Sequence, residues 1–476
     1  MNSKLKVLTR NLTYSVNAKV LSTLISIFLI LIVPKVLGVT EYSYWQLYVF
    51  YLNYIGILGF GWSDGIYLKI GGAKYIELDR AVLISQFWLM AITETILSLA
   101  FLGIIFSFIA DPDKRYILII TAISGFFLIM RSLFFYILEA TNRIKEFALF
   151  NIIDRVLYLL LTVVALVLHV VSYKPLIIID MVSKIVSFLM LAYLCKDIVI
   201  GKAISCSQGI REAWDNISIG IKLMIANIAS TLIIGVVRWG IERQWDIATF
   251  GKVSLTLSIS NLLLLLVNSV GVVMFPLLRQ AKQEKLPRLY LHLRNGMMFP
   301  LFGLLVLYYP GVLLLSQWLP KYSESLKYMA IILPICIYES KISMLINTYL
   351  KNYRKEKTIL FVNGITLGLS VLTTYVSIFV VSNLLLAVLS IFILLAFRCI
   401  LAEIILAKFI KIQVFKDTVY ELVVSICFIL FNWYFAGYVG FILYLGIYFV
   451  YLLIKRKELS NLLILINTRL RSSNTE

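Results

Sequence analysis

Histidine and cysteine are nearly absent from this 476-residue sequence, and where they occur they do not cluster. His169 and His292 stand far apart, and the five cysteines (Cys195, Cys206, Cys336, Cys399, Cys427) form no CxxC pair. Zinc sites and disulfide frameworks need such residues at short spacing, so neither is expected. A GxxxxGK[ST] phosphate loop is missing as well. Gly201-Lys202-Ala203 and Gly251-Lys252-Val253 lack both the following hydroxyl and the upstream glycine. No Ser-His-Asp arrangement is legible. No cofactor or metal is expected, and the chain reads as a carrier rather than an enzyme.

Charge is scarce too. Charged residues make up 14% of the chain and hydrophobic ones 61%, with a mean hydropathy of +0.93, whereas a soluble domain carries about 25% charged residues. So apolar a chain has more hydrophobic surface than one aqueous core can hide, and it needs lipid. Acid is the scarcer sign, with 25 Asp and Glu against 44 Lys and Arg, a formal net charge of +19. Lys and Arg gathering in cytoplasmic loops accounts for that excess, so no nucleic-acid partner is expected. The first apolar run, Val16 to Val33, is long enough to span and has no small-residue cleavage site. It reads as a first helix, not as a removable leader.

What is present is a series of long apolar runs. A span needs about 20 such residues, and the runs predict an all-α integral membrane protein with about fourteen transmembrane helices. They fall at 11–34, 45–68, 81–109, 116–139, 146–169, 175–195, 217–239, 251–278, 295–316, 328–350, 358–381, 385–407, 418–436 and 439–455. Barrel strands would be about ten residues long and alternating, and these runs are neither. Alternate loops differ sharply in charge. One set holds Lys4, Lys6 and Arg10, then Lys69, Lys74 and Arg80, and continues so through Lys196, Lys202 and Arg211, Arg279 to Arg294, Lys351 to Lys357, and Lys455 to Lys457. The other set holds Lys35, Lys114, Arg115, Lys174, Arg243, Lys321 and Lys327. The rich side is expected to be cytoplasmic, with both termini there.

The longest connection, 196–216, divides the first twelve helices into two sets of six. The expected organisation is a six-helix bundle at 1–195, a cytoplasmic linker at 196–216, a second bundle at 217–407, and two extra helices with a cytoplasmic tail at 408–476. A faint echo, Ser22-Thr23-Leu24-Ile25 against Ser230-Thr231-Leu232-Ile233, agrees with a two-half repeat. The segment Leu459 to Ile466 is too short to span and reads as interfacial.

An ionisable group inside a span costs at least about 2.5–3.5 kcal/mol on insertion scales, so each needs a reason. Asp180 and Lys184 share i,i+4 spacing and can neutralise each other, as can Arg238 and Glu242. Lys19, Arg131, Arg155, Lys341 and Arg398 have no opposite charge at i±3 or i±4. Each lies about 12–15 Å from the cytoplasmic end of its helix at 1.5 Å per residue, near the middle of a ~30 Å core. Asn11, Ser15, Lys19, Ser22 and Ser26 also form one polar stripe, which suits a water-filled cavity. The five cations are the candidate cargo-binding residues, and an anion such as phosphate is the cargo they suit. Asp64, Glu94, Asp154 and Glu339 are intramembrane acids that could pair with some of them across helices. Glu94, mid-span and lone, is the candidate for ion coupling.

Several short stretches resemble a known family. Asn11-Leu12, Leu37-Gly38-Val39-Thr40-Glu41-Tyr42-Ser43, Leu58-Gly59-Phe60-Gly61, Phe275-Pro276-Leu277-Leu278-Arg279 and Trp318-Leu319-Pro320-Lys321-Tyr322 are similar to Wzx-type polysaccharide flippases. These belong to the multidrug/oligosaccharidyl-lipid/polysaccharide exporter superfamily. The resemblance implies two six-helix bundles around a central cavity, alternating access, and a place in the bacterial cytoplasmic membrane. It further implies an undecaprenyl-pyrophosphate-linked repeat unit as cargo, with polymerase and chain-length regulator as partners in capsule or O-antigen assembly. Two helices exceed the twelve-helix core, as in related lipid-linked precursor flippases. A multidrug exporter of the same superfamily is the nearest rival, and the unpaired cations oppose its cationic drugs. A membrane polymerase or glycosyltransferase is the enzyme rival, and it would need a larger outer loop than the about twelve residues available.

Overall fold

The computed structural model describes residues 3–271, 284, 286–435 and 437–460, with the side chains of 3–17, 19 and 265–271 outside that description. No strand occurs among them. The chain runs α1 (Ser3–Leu37), α2 (Val39–Ile55), α3 (Trp62–Ile70), α4 (Arg80–Phe108), α5 (Pro112–Ala140), α6 (Ile144–Val167) and α7 (Tyr173–Leu194). It continues with α8 (Cys206–Gln244), α9 (Ile247–Gly271), α10 (Leu286–Trp318), α11 (Met329–Asn352), α12 (Glu356–Val380), α13 (Leu384–Ile410), α14 (Phe415–Tyr434) and α15 (Tyr438–Ile454). Among the described residues, eleven helices are long and apolar enough to cross a membrane. The chain is an all-α, multi-pass membrane protein.

Local sequence sets the joints. Asp79, Ser172 and Asn383 cap α4, α7 and α13 by accepting backbone N–H groups. Asp111 caps α5, with Pro112 at its first position where no N–H is needed. Gly38 and Gly437, both at φ +80, turn the chain between α1 and α2 and between α14 and α15.

Three predicted elements differ. The second span is not continuous: after α2 comes one tight turn, Gly56–Gly59, and then Phe60 (φ 48) and Gly61 (φ 72) in the left-handed region before α3 starts. The run stays apolar through the break, so hydropathy alone cannot show it. The expected linker 196–216 is largely helical, with one turn at Lys196–Val199 and α8 beginning at Cys206. The expected start of the ninth span at 295 is also late, because α10 begins at Leu286. Most of the 459–466 segment and all of Phe275 to Arg279 lie outside the described residues.

The chain forms two compact units, Met1–Ile228 and Ala229–Glu476. In the first, α5 is central and packs against α2, α3, α4 and α7, with Met130, Leu133, Phe134, Ile137 and Leu138 wholly buried. The first part of α8 seats on α3 at a backbone-to-backbone crossing. A Cβ at Gly61 would lie 2.6 Å from the Gly220 carbonyl carbon, and one at Gly65 would overlap the Asn216 backbone. Lipid tails are as apolar as leucine, so close packing and interhelical hydrogen bonds must hold such a crossing. Here Gln86 accepts from Trp62 Nε1 (2.9 Å) and Asn216 Nδ2 (3.2 Å) and donates to the Gly209 carbonyl (3.0 Å). In the second unit α11 is the most enclosed helix, packed among α9, α10, α13 and α14. It contains a π-helical stretch at Lys341–Ile346.

Candidate functional site

Every candidate cation sits on a helix of one unit or the other, and most have found a counter-charge there. Arg131 on α5 reaches across to Asp154 on α6 (2.9 Å), lies 3.4 Å from Ser187 Oγ on α7, and stands over the Phe135 ring. Arg398 on α13 pairs with Glu339 on α11 at 2.9 Å and is 4% exposed. Lys341 is 1% exposed and pairs with Glu403 on α13 and with Glu421 on α14, the latter at 2.8 Å. These three are not open cations in this structure. Their acids come from neighbouring helices, which spacing along one helix cannot show.

Lys341 belongs to a larger buried cluster. Arg294 on α10, fully buried, is 2.8 Å from Glu403, 2.8 Å from Glu421 and 3.2 Å from Asp417. Lys455 bonds Asp417 at 2.5 Å. Tyr290 donates its hydroxyl to Glu403 (2.9 Å), and Thr418 donates to the other Glu403 oxygen (3.1 Å). Three cations (Arg294, Lys341, Lys455) thus meet three inner carboxylates (Glu403, Glu421, Asp417), and these inner charges balance, while Lys455 also reaches the partly exposed Glu458 at 3.4 Å. A buried ion survives in a low-dielectric setting only when paired and hydrogen-bonded. The cluster ties α14 and the end of α15 to α10, α11 and α13. Arg294 and Lys455 carry loop charge in the sequence reading, yet Arg294 lies two turns inside α10.

The other candidates stand differently. Arg155 on α6 is exposed and forms no ion pair among the described residues. Lys19 lies on α1, which packs along α6, but its side chain is outside the described residues. Glu94, mid-α4 and 2% exposed, has no cation partner and no hydrogen bond among the described residues. The within-helix pair behaves as expected: Lys184 bonds Asp180, which also accepts from Tyr48 (2.6 Å). Asp64, just after the α2–α3 break, accepts from the Tyr136 hydroxyl (3.1 Å) and forms no ion pair among the described residues. No group of three or more His, Cys, Asp or Glu suited to a metal ion occurs among the described residues.

Comparison of the whole fold gives a consistent set of neighbours. The structure is similar to the lipid II flippase MurJ in an inward closed conformation, with a TM-score of 0.64 at 13% identity over 94% of this chain and 98% of that one. It is also similar to a multidrug resistance MATE family transporter of the MOP superfamily facing inward, with a TM-score of 0.62 at 13% identity over 81% of this chain and 96% of that one. An outward-facing MATE family transporter gives 0.56 at 14% identity over 85% and 96%. The chain has the fold of MOP-superfamily transporters. No protein-family model and no curated protein sequence matches it. At 13–14% identity the shared fold carries no residue role across.

Proposed function

We propose that this protein is a non-enzymatic flippase. It would carry an undecaprenyl-pyrophosphate-linked oligosaccharide repeat unit from the cytoplasmic to the outer leaflet by alternating access, for capsule or another surface polysaccharide. The observation that supports this most is the extent of the shared fold. The likeness to the lipid II flippase takes in 94% of this chain, against 81% and 85% for the two MATE transporters. A cargo whose headgroup is anionic also suits the mid-span cations.

Within this reading the roles of the cations divide. Arg131, Lys341 and Arg398 already hold carboxylates, and cargo would have to displace those to use them. Arg155 is the better contact, with Lys19 on the adjoining helix. An exposed guanidinium without counter-charge inside a span is tolerated only toward water or a ligand, and its fork suits pyrophosphate oxygens. Glu94 is the candidate for coupling to an ion gradient, since no nucleotide loop is present to supply energy. The multidrug reading keeps a place because the MATE likeness is nearly as strong in TM-score.

A deletion strain tests the proposal. It should store complete lipid-linked repeat units on the cytoplasmic leaflet. Normal surface polysaccharide together with raised drug sensitivity would favour the multidrug reading instead.

A further inference from the structure

A cavity of about 680 Å³ opens in the second unit between α10, α14, α15 and the loop before α11, within the size range of ligand sites. Of its thirteen lining residues six are aromatic: Tyr308, Tyr309, Trp433, Tyr434, Tyr438 and Phe441. Only two, Val312 and Leu313, are branched aliphatics. It sits where α14 ends and α15 begins, and Ser323 and Lys327 of the loop before α11 close one side. Loop charge assigns both of those connections to the outer face.

An interfacial aromatic belt places single rings at headgroup level. These rings enclose a space instead. Tyr308 packs edge-on against Tyr309 at 5.3 Å, and Tyr309 against Phe441 at 4.8 Å. Trp433 leans on Tyr328 at 5.9 Å. Tyr434 and Tyr438 are 72% and 79% exposed and form the free rim. The buried Tyr309 hydroxyl meets the Asn432 side chain at the cavity wall. Asn432 donates its amide N–H to the Phe428 carbonyl at 2.7 Å.

A hydrocarbon tail needs no hydroxyls and is served by leucine and valine. The mixture present here is ring faces, phenol hydroxyls, an amide, a serine and one lysine. That mixture matches a sugar, whose C–H faces pack on rings and whose hydroxyls need donors and acceptors. We propose that this outer-face cavity is a carbohydrate-binding site that receives the glycan part of the cargo as it emerges, with the Trp433 and Tyr434 rings as its stacking platform and Lys327 as the contact for an acidic sugar. The proposal rests on the flippase reading for the source of the sugar, but binding itself does not need transport.

The test uses the full-length protein in lipid nanodiscs and, as probe, fragments of one to a few repeat units cut from the producing strain's own surface polysaccharide. Saturation-transfer NMR should show contact with the fragments, and Tyr434→Ala and Trp433→Phe should each weaken binding by about tenfold. Tyr434 is exposed, so its substitution should leave membrane abundance unchanged. Binding that is absent, or equal in wild type and both variants, overturns the proposal. So does a bilayer lipid that occupies the cavity and is not displaced by the fragments. If the fragments bind here while the deletion strain stores no lipid-linked repeat units, the site stands and the transport reading fails. If the units accumulate and the fragments do not bind, the site fails alone.

Discussion

Replacing Lys341 by methionine should destabilise the second unit strongly, and a second substitution should undo much of the loss. Arg294, Lys341 and Lys455 face Glu403, Glu421 and Asp417 inside the protein, three charges against three. Lys341→Met keeps most of the side-chain volume but leaves one negative charge uncompensated, at a position where Glu403 and Glu421 are 1% and 2% exposed. Removing one partner of a buried pair costs about 3–5 kcal/mol. For a unit of this size that is a fall in melting temperature on the order of 10 °C. Lys341→Met combined with Glu421→Gln restores the balance, and should recover at least half of the fall. The assay is thermal denaturation of detergent-solubilised protein followed by the monodisperse fraction in size-exclusion chromatography. An unchanged melting temperature in Lys341→Met would refute the reasoning, and so would a double variant no more stable than the single one.

Other expectations are quicker to check. Cys206 is exposed at the start of α8, whereas Cys195 is wholly buried and burial pushes its thiol up to about 11. At pH 8 the Cys195 thiol therefore stays protonated, and a maleimide should modify Cys206 and spare Cys195. A membrane-impermeant maleimide should reach Cys206 in inverted vesicles only, and labelling from outside intact cells would reverse the topology. Gly65→Val places a side chain into the Asn216 backbone and should cost at least about 1–3 kcal/mol. Gly103→Ala, in open space on α4, should be neutral, and equal melting temperatures for the two would deny the tight crossing. Arg155→Ala should cut export at normal membrane abundance, whereas Arg131→Ala, which strands Asp154, should lower abundance too. Normal export in Arg155→Ala would remove it from the cargo path.

The helices were legible because a span is a one-dimensional property: about 20 apolar residues register without knowledge of neighbours. What failed depends on a second segment. The Gly56–Gly61 break is invisible to hydropathy, because glycine and phenylalanine keep the run apolar. Its sense appears only where Gly61 and Gly65 meet α8. Charge pairing divides the same way. Asp180 with Lys184 can be read from one turn of helix, but Arg131 with Asp154 and Arg398 with Glu339 are joined by packing between helices. Arg294 was hidden by a misplaced helix start, and Glu403 and Glu421 gave no signal beyond being acids within or near predicted spans. The aromatic residues of the outer cavity come from α10, α14 and α15, and their number was visible while their convergence was not.

The most direct measurement is transport by the purified protein in liposomes. A fluorescently tagged undecaprenyl-pyrophosphate-linked oligosaccharide would be placed in one leaflet and its arrival in the other read with an impermeant quencher. Exchange should run well above that in protein-free liposomes, and much more slowly with Arg155→Ala. Exchange no faster than in empty liposomes, from protein that is folded and subjected to either polarity of ion gradient, would contradict the flippase reading.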